Sequence, residues 1–176
     1  QASKLNPSQV QEAMETMKKM TPEQRAEVER MAKKSNPEDL LRQSEAHVSA
    51  QQTYAMNAAE QLKNEGNVLF KAGRYIEAVD KYQRALENVS AGEGAVLKKS
   101  CHSNLASCYL HVEEWSKCIS HCDTVLEIDG GRNMKALYRR GQAYIGLKRK
   151  GNAVADLQRA LILAGPEDGA LIEVKL

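Results

Sequence analysis

Apolar positions recur three, four and seven residues apart along most of the chain, and no alternating run of β-branched residues interrupts them, so the pattern predicts helices and no sheet. A short period marks the first 50 residues: Asn6-Pro7, Thr21-Pro22 and Asn36-Pro37 stand 15 residues apart. Each pair reads as a helix start. Asn or Thr at the N-cap accepts a backbone N–H, and Pro at the first helical position loses no needed donor. Gln9, Gln24 or Asp39 follows three residues after each cap. Two short helices and the start of a third are expected, with apolar stripes Val10, Met14, Met17, then Val28, Met31, then Leu40, Leu41. Nothing between Pro37 and Gly66 breaks the third, which is free to run on.

From about residue 58 a longer period takes over. Small residues at Gly66, Ala78 and Ala85 are spaced by 12 and 7, and the same spacing returns at Ala106, Cys118, Val125 and at Gly141, Ala153, Ala160. The units begin 40 and then 35 residues apart, with Gly92-Glu93-Gly94 and Gly130-Gly131 between them as flexible positions. Three helix-turn-helix units result, over residues 51–166, and the short helices of residues 1–50 precede them. Pro166-Glu167-Asp168 opens a possible capping helix over 167–176, carrying Leu171, Ile172 and Val174.

Composition narrows the function. The formal charge is +2, with eight basic and eight acidic side chains in residues 1–50, so bulk electrostatics offers nucleic acid no footprint. The longest apolar run, Ala160 to Ala164, is far short of the roughly 18 to 20 residues that span a bilayer, so this stretch is expected not to insert into a membrane. Cys101, Cys108, Cys118 and Cys122 fall inside helical patterns and read as packing residues in a reducing compartment. Adding His102, His111 and His121 gives none of the usual zinc spacings. Gly-x-Ser-x-Gly and His-Glu-x-x-His motifs are absent, and Leu147 stands where a phosphate loop needs Lys. No enzyme is expected, and no cofactor or metal.

The 12-and-7 spacing of small residues, with Tyr109 and Tyr144 one turn past the crossing point, resembles the tetratricopeptide repeat. Leu69 takes the aromatic place in the first unit. Leu62, His102 and Leu137 replace the motif's Trp, and Ser90, Gly130 and Gly165 its closing Pro. The resemblance implies an all-α fold, three repeats in a right-handed solenoid, whose concave surface is lined by the first helix of every unit.

That surface has a readable chemistry. With Gly66, Ala106 and Gly141 as zero and about 100° per residue, Lys63, Asn67, Asn104, Lys135 and Arg139 fall in one sector roughly 100° wide. Three cations and two amides, with no Asp or Glu among them, suit a ligand carrying two neighbouring carboxylates, such as a C-terminal aspartate.

In their local sequences, Lys63-Asn64-Glu65-Gly66-Asn67, Ser103-Asn104-Leu105-Ala106 and Lys135-Ala136-Leu137-Tyr138-Arg139-Arg140-Gly141, these residues resemble the dicarboxylate clamp of tetratricopeptide co-chaperones. That family docks the C-terminal Glu-Glu-Val-Asp tails of heat-shock protein 70 and heat-shock protein 90. The resemblance implies the same partners here, with the five residues as carboxylate ligands. Phe70, Ser107 and His111 lie one or two turns beyond the amides and are expected to wall a pocket for the apolar residue upstream. Arg140 is a secondary candidate for acidic side chains of the tail. Met-Thr-Pro-Glu and Asn-Pro-Glu-Asp helices ahead of three repeats also resemble plant tail-anchored receptors for chaperone-bound precursors. This implies a role in protein targeting and transport, in the cytosol or, if the native chain carries an anchor, on the cytosolic face of the chloroplast outer envelope or endoplasmic reticulum. The alternatives are a soluble co-chaperone or immunophilin repeat domain, or a client-binding scaffold acting through the Met-rich helices.

Overall fold

A computed structural model of the chain describes residues 11, 15–34, 37–89 and 94–164. Seven helices of more than ten residues are found among them: α1 (Pro22–Lys34), α2 (Pro37–Lys71), α3 (Tyr75–Glu87), α4 (Ala95–His111), α5 (Trp115–Ile128), α6 (Met134–Gly146) and α7 (Lys150–Leu163). Residues 15–19 are also helical, and no described residue is in a strand. The expected helix start at Asn6-Pro7, the cap at Asn36 and the capping helix over 167–176 lie outside the described residues. The chain divides into two compact units, residues 1–50 and 51–176.

In the first unit, α1 starts on a reciprocal cap. Thr21 N–H donates to Gln24 Oε1 at 3.0 Å, and Gln24 N–H donates to Thr21 Oγ1 at 3.3 Å. Two otherwise orphaned donors of the first turn are satisfied this way, and Pro22 has none to satisfy. Met17, Val28, Leu40, Leu41 and Val48 are exposed. α2 runs 35 residues, to Lys71, in keeping with the lack of Pro and Gly between Pro37 and Gly66. Its residues from 51 onward belong to the second unit.

The second unit is three antiparallel helix pairs, α2/α3, α4/α5 and α6/α7. The short turns inside the pairs are built alike. Arg74 N–H donates to Leu69 O (3.0 Å), Glu114 N–H to Tyr109 O (2.9 Å) and Arg149 N–H to Tyr144 O (2.8 Å). Each closure needs a left-handed residue just before the donor. Gly73 (φ 76°) supplies it without strain; Glu113 (φ 61°) and Lys148 (φ 59°) adopt it with a Cβ in place.

Small residues mark the helix crossings. A Cβ on Gly66 would stand 2.6 Å from the Tyr82 ring, and one on Gly141 would stand 2.9 Å from Leu157. Ala106, at the same place in the second pair, is buried, as are Ala78, Ala85, Cys118, Val125, Ala153 and Ala160 on the second helices. The repeating spacing is therefore the spacing of contact points. A main core centres on Tyr82, Leu105, Val125, Leu137 and Leu157, and a smaller one gathers Ala59, Ala85, Val89, Leu97 and Cys101. All four cysteines are free and have no exposed surface. Burial pushes the Cys101 thiol up to about 11 and the Cys108 thiol to about 12, so both stay protonated at neutral pH and act as small apolar groups. Among the described residues, no helix is long and apolar enough to cross a membrane.

Candidate functional site

Each first helix of the second unit brings polar side chains to one surface. α2 contributes Lys63 and, one turn on, Asn67. α4 contributes Ser103, Asn104 and Ser107, and α6 contributes Lys135 and, one turn on, Arg139. Two tertiary contacts join these helices at the same level. Asn104 Nδ2 donates to Asn67 Oδ1 at 2.9 Å, and Arg139 Nη1 donates to Ser103 Oγ at 2.9 Å and Ser103 O at 3.3 Å. Asn67, Asn104 and Arg139 thus occupy adjoining positions on the first helices of three successive pairs. Lys63 and Lys135 each stand one turn earlier, on the first and the third of these helices.

The charges in this row are unequally satisfied. Arg139 is half-buried, and its hydrogen-bond partners among the described residues are both neutral. Burial pulls its pKa below the usual arginine value, the signature of a cation held without a carboxylate. Lys135 is exposed, with no ion-pair partner among the described residues. Lys63 is different: its ammonium is paired with Glu60, three residues earlier on the same helix, and its side chain is only 18% exposed. One acidic group of the protein therefore reaches the edge of the row. The helical spacing of Glu60 to Lys63 was the signal for it.

Asn67 is held from beneath. Tyr82, on α3, is 1% exposed and donates its phenol proton to Asn67 Oδ1 at 2.8 Å. Burial raises the Tyr82 pKa, so the hydroxyl remains a donor throughout the neutral range.

The secondary candidates separate. Phe70 and His111 come together edge-on, with centroids 5.5 Å apart, and Tyr75 completes the cluster: it stacks on His111 at 4.4 Å and meets Phe70 edge-on at 5.3 Å. Phe70 is half-buried and His111 exposed; Ser107 is half-buried on α4. Arg140 faces away from the row. It donates to Asp156 through Nε (2.6 Å) and Nη2 (2.7 Å) and to Asp123 through Nη1 (2.5 Å), so its donors are taken up within the protein, tying α6 to α7 and α5. Asp156 is the single buried charged side chain among the described residues, and the Arg140 pair answers its charge.

His102 and His121 lie elsewhere. His102 Nδ1 and His121 Nδ1 are 2.9 Å apart between α4 and α5, with Tyr109 stacked on His121. Among the described residues, no group of three or more His, Cys, Asp or Glu is placed to hold a metal ion.

Paired helices of equal register, small residues at every crossing and a polar row across the first helices define a helical-repeat module. It is a tetratricopeptide-repeat domain: residues 59–89 match the family model described as Tetratricopeptide repeat. Outer envelope protein 61 of Arabidopsis thaliana is 42% identical over 132 residues, covering 73% of this chain and 24% of that protein. The tetratricopeptide-repeat domain of Arabidopsis OM64 is similar in structure, with a TM-score of 0.58 and 29% identity over 69% of this chain and 95% of that one. The second such domain of Spaghetti (RPAP3), solved bound to the HSP90 peptide SRMEEVD, gives a TM-score of 0.59 and 27% identity over 69% of this chain and 99% of that one. The chain spans about a quarter of the length of the curated relatives it matches, from 24% to 28%.

Proposed function

We propose that this domain is a chaperone-docking adaptor that grips the C-terminal Glu-Glu-Val-Asp tails of heat-shock protein 90 and heat-shock protein 70. Arg139 is the observation that carries the reading: a half-buried guanidinium oriented by two neutral oxygens, with donors to spare and no carboxylate of its own. Such a group is most stable when an incoming anion completes it, because a charge-assisted hydrogen bond adds roughly 1.5 to 3 kcal/mol. Lys135 beside it and the amides of Asn67 and Asn104 supply the remaining donors for two carboxylates one residue wide. Lys63 joins once it exchanges Glu60 for the ligand. The Phe70, Tyr75 and His111 rings offer an apolar wall for the residue upstream. Similarity to a domain solved with the peptide SRMEEVD supports the acidic-tail chemistry.

Similarity to outer envelope protein 61 supports a further step, in which the docked chaperone delivers precursor proteins to an organelle surface facing the cytosol. A short extended peptide loses much ordering freedom on binding, so the expected affinity is micromolar, about −8 kcal/mol, and weakens with salt. Calorimetric titration with a peptide ending in Met-Glu-Glu-Val-Asp, against the same peptide amidated at its C-terminus, tests the reading. Clear preference for the free acid is expected; equal affinity for the two removes the clamp.

A further inference from the structure

The orientation of one side-chain amide decides what the clamp accepts, and that orientation is set from the core. Asn67 Oδ1 receives two hydrogen bonds, from the Tyr82 hydroxyl at 2.8 Å and from Asn104 Nδ2 at 2.9 Å. Both acceptor sites of that oxygen are filled. Among the described residues its Nδ2 group has no partner and no buried polar side-chain atom lacks one, so the Asn67 Nδ2 group is open to solvent. Rotated alone, the amide could donate to the phenol oxygen, but the buried phenol proton and Asn104 Nδ2 would both lose their acceptor, and an oxygen would turn outward, where it would repel a carboxylate.

We infer that Tyr82 is a specificity-determining positioning residue: its hydroxyl, donated from the core to Asn67 Oδ1, keeps the Asn67 N–H pair facing the ligand and makes the clamp discriminate carboxylate from carboxamide. The fixed position of the phenol supports this. The Tyr82 ring is pinned where Gly66 leaves room for it, since a Cβ there would stand 2.6 Å from the ring, and 1% exposure leaves the hydroxyl no solvent alternative. Asn104 alone, half-buried and with a rotatable amide of its own, enforces the orientation less strictly. A second-helix tyrosine that touches no ligand thereby reads the ligand's charge through another side chain.

The inference rests on the tail-binding reading, and the test separates the two. Tyr82→Phe keeps the ring and removes the hydroxyl. Three peptides are titrated against wild type and variant: the tail ending in Asp as free acid, the same tail as C-terminal amide, and the tail ending in Asn as free acid. Wild type favours the first over both others; if it does not, the tail-binding reading itself fails. In Tyr82→Phe, at least one of the two preference ratios falls threefold or more. Ratios unchanged within error, whether or not overall affinity drops, overturn the inference while leaving the clamp intact. Asn67→Ala provides the control on folding: added to that background, Tyr82→Phe leaves the ratios where Asn67→Ala put them, and a further drop would assign the effect to packing.

Discussion

Ser103 orients the Arg139 guanidinium with two oxygens, its hydroxyl at 2.9 Å and its backbone carbonyl at 3.3 Å. Neither carries a charge. The next residue, Arg140, has the opposite surroundings, with two carboxylates on its three nitrogens. One helix thus carries side by side an arginine left available and an arginine committed to the fold.

Arg139→Ala is expected to weaken binding of the free-acid tail by on the order of 2 kcal/mol, about thirtyfold, since a carboxylate of the ligand loses its charged partner. Arg139→Lys recovers only part of this, because a single ammonium cannot bridge the Ser103 oxygens and a ligand together. Fluorescence anisotropy with a labelled tail measures both; an affinity unchanged in Arg139→Ala would place the ligand elsewhere.

Arg140→Ala is expected to act on stability. It strands the Asp156 carboxylate, whose side chain is 6% exposed, and removal of one partner from such a pair costs about 3 kcal/mol or more. Denaturant unfolding should show the loss, while the folded fraction keeps its tail affinity. A stable Arg140→Ala protein with weakened binding would reverse the roles assigned to the two arginines.

Glu60→Gln is expected to raise tail affinity about threefold at low ionic strength, the size of effect that exposed ion pairs produce. It releases Lys63 and removes a negative charge from the approach. The gain should shrink in high salt and vanish in a Lys63→Ala background. A loss of affinity instead would mean that Glu60 helps to position Lys63.

The half-buried histidine pair predicts a pH dependence of folding. Burial holds His121 down to about 4 and lowers His102 from the ordinary 6.5, so below about pH 6.5 the unfolded chain binds protons that the folded chain refuses. Stability is therefore complete above that value and falls as pH drops toward about 4. Glu65, Glu77 and Asp129 are held below their usual range by Lys81, Arg74 and Asn133 respectively, and their contribution is lost only below about pH 4.5. Unfolding free energies between pH 6.5 and 4.5 isolate the imidazoles. His121→Gln should flatten the slope there, and an unaltered slope would count against the pair.

Much of this architecture was legible before any coordinates. Ala78, Ala85, Cys118, Val125, Ala153 and Ala160 announced the crossings because only small or compact side chains fit where two helices touch, and the Thr21 cap followed from its spacing to Gln24. The helical angle placed the five polar residues on equivalent faces. Angles give a face and never a partner, which is why Ser103 and Tyr82 were missed although each lies within the repeat that was read. Asp123 and Asp156 reach Arg140 from helices 17 and 16 residues away in sequence, so only packing reveals that pairing. Glu113 and Lys148 gave no warning either: the left-handed turn they complete shows a glycine in the first pair alone.

The bonds that join the first helices, Asn104 to Asn67 and Arg139 to Ser103, exist before anything is docked. If this row is the proposed docking site, its protein side is already assembled, and nearly all of the disorder to be surrendered belongs to the ligand. Under the proposed tail-binding function, discrimination among partners depends on how freely each can present an unencumbered chain end: a loose terminal tail enters readily, whereas the same four letters anchored in a folded terminus would be refused.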